Sequence, residues 1–99
     1  MEASVTKALT QHLTGSKKSG RCANVLVGHT NTVRAVAVID ASTVVSGSWD
    51  STLRVWDIET GACRKVLEGH TRPVNAVAMI DASTVVSGGS DTTLRVWDL

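Results

Sequence analysis

Ser46-Gly47-Ser48-Trp49-Asp50-Ser51-Thr52-Leu53-Arg54-Val55-Trp56-Asp57 returns, 41 residues further on, as Ser87-Gly88-Gly89-Ser90-Asp91-Thr92-Thr93-Leu94-Arg95-Val96-Trp97-Asp98. Working outward, the same offset carries Gly28-His29-Thr30 onto Gly69-His70-Thr71, and residues 28–57 align with 69–98 without a gap. Of these 30 paired positions 23 are identical, and the differences fall at 31/72, 32/73, 34/75, 38/79, 48/89, 49/90 and 51/92. Self-similarity at such a period marks a fold built by repeating one supersecondary unit, because a single unit cannot bury its apolar face alone.

Within the unit, β-branched runs alternate with turn residues. Val33 to Ile39 is an apolar run, Asp40-Ala41-Ser42 supplies a turn, and Thr43-Val44-Val45-Ser46 is β-branched again. A second turn at Asp50-Ser51 leads to a strand over Thr52 to Trp56, and Glu59-Thr60-Gly61 turns into a fourth strand from Cys63 to Leu67. The pattern predicts a four-stranded antiparallel meander, present twice, and hence an all-β fold. Val33, Ala35, Val44 and Val55, with Val74, Ala76, Val85 and Val96 in the second copy, supply the alternating apolar surfaces.

Composition narrows the function. Ten lysines and arginines stand against nine aspartates and glutamates, a net charge of +1, far from the basic footprint of a nucleic-acid binder. No apolar run approaches the roughly 18 residues of a membrane-spanning helix, and the polar start lacks the apolar stretch of a secretory signal. An intracellular protein, cytoplasmic or nuclear, is the expectation. Cys22 and Cys63 occupy equivalent places in the repeat and lack metal-ligand spacing, so they read as reduced, unpaired thiols, and neither metal nor cofactor is expected.

A Gly-His pair, two strands, a turn aspartate and a closing Trp-Asp at this period resemble the WD repeats of β-propellers. The wording Ser-Gly-x-x-Asp-x-Thr-Leu-Arg-Val-Trp-Asp followed by Glu-Thr-Gly-x-Cys is particularly similar to the propellers of F-box/WD-repeat ubiquitin-ligase substrate receptors. The resemblance covers about residues 20 to 99 and implies two four-stranded blades, either part of a propeller or closing into a ring by oligomerisation. It also implies a structural hydrogen-bond network in each blade, joining His29, Ser46, Asp50 and Trp56 in the first and His70, Ser87, Asp91 and Trp97 in the second. These residue types are suited to it: imidazole donates and accepts, hydroxyl does both, carboxylate accepts and indole donates.

A histidine, a serine and an aspartate in one unit also invite a catalytic-triad reading. Against it, the set occurs twice at identical spacing, is completed each time by a tryptophan, and has no Gly-x-Ser-x-Gly elbow beside either serine. Gly47 and Gly88-Gly89 belong to no phosphate-binding pattern and read as places of close backbone approach. No enzymatic activity is expected. If the tetrads are scaffolding, function lies where the copies differ: Arg34 against Asn75, and Trp49 against Ser90. The resemblance implies that these four positions open onto the top face of a propeller, where partner proteins or peptides bind. In F-box/WD receptors arginines at such sites hold phosphorylated peptides; Arg34 fits that pattern, whereas Asn75, Trp49 and Ser90 depart from it. The expected function is a non-catalytic protein-interaction scaffold, with a phosphopeptide-binding ligase receptor or a segment of a larger WD-repeat protein as alternatives.

The organisation follows from the repeat. Residues 28–68 form the first unit, and residues 69–99 the second without its last strand. Residues 1–19 are a tail in which Val5, Ala8, Leu9 and Leu13 fall at helical spacing ahead of a Gly-Ser-Lys linker; an F-box needs more helix than they supply. Gly20-Arg21-Cys22-Ala23-Asn24-Val25-Leu26-Val27 lies one period before Gly61-Ala62-Cys63-Arg64-Lys65-Val66-Leu67-Glu68 and matches it at glycine, cysteine, valine and leucine. Residues 20–27 are therefore expected to be the outermost strand of a neighbouring blade. Two blades are too few for a circle, so self-association into a trimer or tetramer, or pairing with other WD-repeat segments, is the expected way to cover them.

Overall fold

The computed structural model describes residues 20–99; the tail, with its possible helix and linker over residues 1–19, lies outside them. The described chain is all-β. Seven strands, β1 (Val33–Asp40), β2 (Thr43–Ser48), β3 (Thr52–Asp57), β4 (Cys63–Glu68), β5 (Val74–Asp81), β6 (Thr84–Gly89) and β7 (Leu94–Asp98), follow one another in chain order. They form two antiparallel sheets ordered β1-β2-β3-β4 and β5-β6-β7. Each strand of the first sheet runs a residue or two beyond the end read from sequence, because pairing continues to the turn itself, as at Asp40 with Thr43 and Val33 with Ser48. Residues 20–27 form no strand within the single chain.

Turn chemistry sets the hairpins. At the β1–β2 corner the Asp40 carboxylate accepts from the Ser42 amide at 2.9 Å and the Ser42 hydroxyl at 3.2 Å. Asp81 does the same with Ser83 in the second sheet. Both carboxyls are held below their ordinary value, chiefly by the bond from the backbone amide. The β2–β3 corners place Ser51 and Thr92 at φ of 74° and 69°, a left-handed conformation that costs a non-glycine residue about 1 kcal/mol or more and needs outside support.

Register decides which residues share a face. Ala35 pairs with Gly47, Ala37 with Val45, Gly47 with Leu53, and Val45 with Val55, so these six line one face of the first sheet. Val74 pairs with Gly89, Val77 with Ser87, and Val85 with Trp97, which puts Val74, Val77 and Val85 on the opposite face of the second sheet. These two faces meet. β5 lies against β1 and β2, and one buried cluster unites Ala37, Ile39, Val45, Leu53 and Val55 with Val74, Val77 and Val85. The approach is close: a Cβ on Gly47 would sit 2.7 Å from both Val74 Cγ1 and Val77 Cγ2, so only glycine allows the sheets this separation.

Candidate functional site

Each sheet joins a histidine, a serine, an aspartate and a tryptophan by hydrogen bonds, with nearly equal distances in the two. His29 Nδ1 lies 2.8 Å from Asp50 Oδ2, His29 Nε2 lies 2.6 Å from Ser46 Oγ, and Trp56 Nε1 donates to Ser46 Oγ at 2.7 Å. In the second sheet the same distances are 2.8 Å for His70 to Asp91, 2.7 Å for His70 to Ser87 and 2.8 Å for Trp97 to Ser87. Indole only donates and carboxylate only accepts, which fixes the direction of the chain. The serine oxygen accepts from the indole and gives its own proton to Nε2, leaving the Nδ1 proton for the aspartate. His29 and His70 are thereby the Nδ1-protonated tautomer.

The network reaches further than the four residue types chosen from sequence. Asp50 also accepts from the Thr52 hydroxyl at 2.6 Å, the Thr52 amide at 2.9 Å and the Thr30 amide at 3.1 Å. Asp91 takes the corresponding bonds from Thr93 at 2.7 Å and 3.1 Å and from the Thr71 amide at 3.1 Å. These bonds clamp the left-handed Ser51 and Thr92 from both sides. Burial pushes the Asp50 carboxyl up, but the bonds from Thr52, His29 and Thr30 together outweigh it and leave the group well below its ordinary 3.8. Asp91 is lowered likewise, the Thr93 hydroxyl contributing most. The missed threonines had a signal: a turn aspartate followed two residues later by threonine is an Asx-turn spacing.

Ser46 and Ser87 are buried, and each Oγ is engaged by an indole proton on one side and an imidazole on the other. Among the described residues no group of three or more histidine, cysteine or acidic side chains is placed to hold a metal ion.

The four divergent positions behave differently. Arg34, Trp49, Asn75 and Ser90 are all exposed, and the structure brings them together as two pairs. The Arg34 guanidinium stands over the Trp49 ring, 5.8 Å from its centroid, within range of a cation–π contact. Asn75 Nδ2 donates to Ser90 Oγ at 2.8 Å. Both pairs sit at equivalent places, where β1 and β5 begin and where β2 and β6 end. Backbone bonds from Trp49 to the Thr32 carbonyl and from Ser90 to the Pro73 carbonyl, each 2.9 Å, tie them down. Trp49 and Ser90 immediately precede Asp50 and Asp91, so each exposed pair adjoins its blade's hydrogen-bond network.

The family profile described as WD domain, G-beta repeat matches residues 20–57 and 61–98. The chain belongs to the WD-repeat family. Among relatives of this WD-repeat chain, the ribosome biogenesis protein WDR12 homolog of Drosophila virilis is 53% identical over 34 residues, covering 34% of this chain and 8% of that protein. The homolog of Drosophila erecta is 58% identical over 33 residues, again 8% of its length. The chain therefore spans a small part of these relatives. Among solved structures, the crystal structure of the computationally designed Ika4 protein superposes with a TM-score of 0.71 at 39% identity, covering 80% of this chain and 48% of the designed one.

Proposed function

We propose that this WD-repeat chain is a non-catalytic scaffold that binds proteins or peptides on the edge carrying Arg34, Trp49, Asn75 and Ser90. The observation that carries the reading is the contrast between invariance and divergence: the buried networks are the same in both blades, while the exposed pair above each network is not. A tryptophan beside an arginine is the composition of interface hot spots, and here the two are pre-assembled by their own contact, which reduces the ordering required on binding. On this reading the partners are proteins or peptides, further WD-repeat segments and copies of the chain itself, and the location is intracellular, cytoplasmic or nuclear. The WDR12 homologues are compatible with that location. Among the described residues no helix is long and apolar enough to cross a membrane.

The phosphopeptide-receptor alternative has less behind it. It asks for several arginines facing one anion, and the two blades bring one, already stacked on Trp49, opposite a neutral Asn75–Ser90 pair. The test is selection of binders from a displayed random peptide library on the intact chain. Selected peptides should lose about tenfold or more in affinity for an Arg34→Ala/Trp49→Ala double variant. Affinity for that variant within about twofold of the parent shows that binding lies elsewhere.

A further inference from the structure

Six of the seven differences between the repeats fall on one edge of the blades. Positions 31/72 and 32/73 lie in the loop that leads into β1 or β5, 34/75 near the start of that strand, and 48/89, 49/90 and 51/92 at the end of β2 or β6 and in the corner that follows. Neighbouring blades do not cover this edge. Asn75 and Ser90 are exposed although β5 stands against β1 and β2 of blade one, and Arg34 and Trp49 are exposed although blade two stands on their other side. The openness of the edge is therefore a property of the repeat, whatever blades flank it.

The Arg34 guanidinium is held but not satisfied. Its one polar or ring contact among the described residues is the Trp49 ring, 5.8 Å from centroid to Cζ, and a ring face draws a cation without accepting its N–H groups as an oxygen does. Arg64, by contrast, donates to Thr43 at 3.2 Å and to Asp57 at 2.7 Å, and Lys65 donates to the Leu99 carbonyl. The carboxylates adjoining the edge are occupied, since Asp50 and Asp91 accept from a histidine and a threonine of their own blades. Arg34 thus presents five donors in one plane, on a charge that no ion pair within the described chain neutralises.

We infer that Arg34 anchors an aspartate or glutamate side chain of the peptide that binds this edge, and that Trp49 takes an apolar side chain beside it. The inference rests on the binding edge proposed above and names the chemistry of its partner. A carboxylate has one charge and two oxygens in a plane, which a single guanidinium fork matches with two parallel bonds. A phosphate group brings about −1.5 to −2 charges and three oxygens, and its recognition draws on clusters of arginine. Here the equivalent place in blade two holds a neutral pair, Asn75 bonded to Ser90 at 2.8 Å. That pair retains an amide N–H, an amide carbonyl and a hydroxyl proton, which suit a peptide backbone. Trp49 is 44% exposed, and its open surface suits a leucine-sized or aromatic side chain, the kind of contact that anchors interfaces.

The test uses peptides selected on the intact chain and made with amidated C-termini, so that side chains supply their only carboxylates. Calorimetric titration should show that replacing one aspartate or glutamate by its amide weakens binding about tenfold or more. Arg34→Lys keeps the charge but gives up the fork and the ring contact. It should cost the acidic peptide about tenfold and the amide peptide less than about threefold, because both changes remove the same bond. Arg72→Ala removes another exposed arginine of this edge and should change affinity less than about threefold, as loss of a rim charge does. A loss with Arg72→Ala equal to that with Arg34→Lys assigns the effect to net charge and overturns the inference. Amide replacements within about twofold of the parent peptide, while Arg34→Ala/Trp49→Ala still abolishes binding, overturn the carboxylate and leave the edge standing. Peptides that bind the double variant as well as the parent chain overturn both. A phosphoserine in place of the acid that binds about tenfold tighter, with the gain lost in Arg34→Ala, assigns the site to phosphate and overturns the inference as well.

Discussion

Replacing Ser46 with alanine deletes one oxygen and leaves two buried groups without partners. Trp56 Nε1 loses the acceptor it holds at 2.7 Å, and His29 Nε2 loses the donor at 2.6 Å. Water has poor access, since Ser46 and Trp56 are buried and the His29 side chain is 5% exposed. Each orphaned group costs about 1–3 kcal/mol, so the pair amounts to about 3 kcal/mol after some relaxation. For a domain of this size 1 kcal/mol moves the melting temperature by roughly 4–8 °C, which converts the loss into roughly 12–24 °C. Thermal unfolding followed by near-UV circular dichroism reads this directly, at matched chain concentration because association would shift the midpoint. Ser83→Ala is the control: that hydroxyl is exposed and donates to Asp81 at 3.0 Å, so its loss should stay near 0.5 kcal/mol, as is usual for a surface change. A Ser46→Ala effect no larger than the Ser83→Ala effect would refute the reading of the tetrad as a buried, mutually satisfied network.

The lowered Asp50 and Asp91 carboxyls make stability pH-dependent in a defined direction. A group depressed in the folded state contributes fully above its unfolded value and loses that contribution as pH falls toward the folded one, so the carboxylates' share of the urea midpoint should be constant above about pH 5 and drop below about 4. In Asp50→Asn that drop should be shallower, and an equal slope in both proteins rejects the assignment. Gly47→Ala, whose Cβ would meet two valines at 2.7 Å, should destabilise by about 1–3 kcal/mol in denaturant titration; an unchanged midpoint means the sheets do not meet as closely as described. Cys22 and Cys63 are both free and exposed, so an aromatic disulfide reagent should titrate two thiols per native chain without denaturant, and fewer than two would indicate pairing or cover.

The tetrads were legible because their chemistry is local to one sheet. His29, Ser46, Asp50 and Trp56 are brought together by two hairpins and a lead-in loop, and every residue type needed is visible at the repeat period. The strands were legible for a related reason: alternation and turn residues set which side chains share a face, without reference to anything outside the blade. Coverage was not legible. Leu53 and Leu94 sit in the same pentapeptide Thr-Leu-Arg-Val-Trp and differ from fully buried to mostly exposed, because burial is a property of what lies opposite. The glycine of each Gly-His pair was also missed as a packing residue. A Cβ on Gly28 would stand 2.9 Å from Arg54 Nη1 and 3.0 Å from Trp56 Cη2, and one on Gly69 would stand 2.8 Å from Trp97 Cη2. That tightness depends on where an arginine and a tryptophan from β3 or β7 come to rest, which spacing alone does not disclose.

The polar bonds of each tetrad stay within one blade, whereas the buried contact between blades is made of valine, leucine, alanine, isoleucine and a glycine, with the bond from Lys65 Nζ to the Leu99 carbonyl, 2.7 Å, outside it. A seam of this kind carries no side-chain hydrogen-bond code that one blade must match in the next, since the bond from Lys65 takes a backbone carbonyl that any residue supplies. A change in one unit's network therefore demands no answering change in its neighbour, and a copy of the unit inserted in tandem meets a surface that already fits it. The requirement that neighbours impose on each other reduces to shape at a few positions, Gly47 foremost, and leaves the exposed edge at 34 and 49 free to vary from copy to copy. Such a unit can be multiplied first and specialised afterwards, one blade at a time.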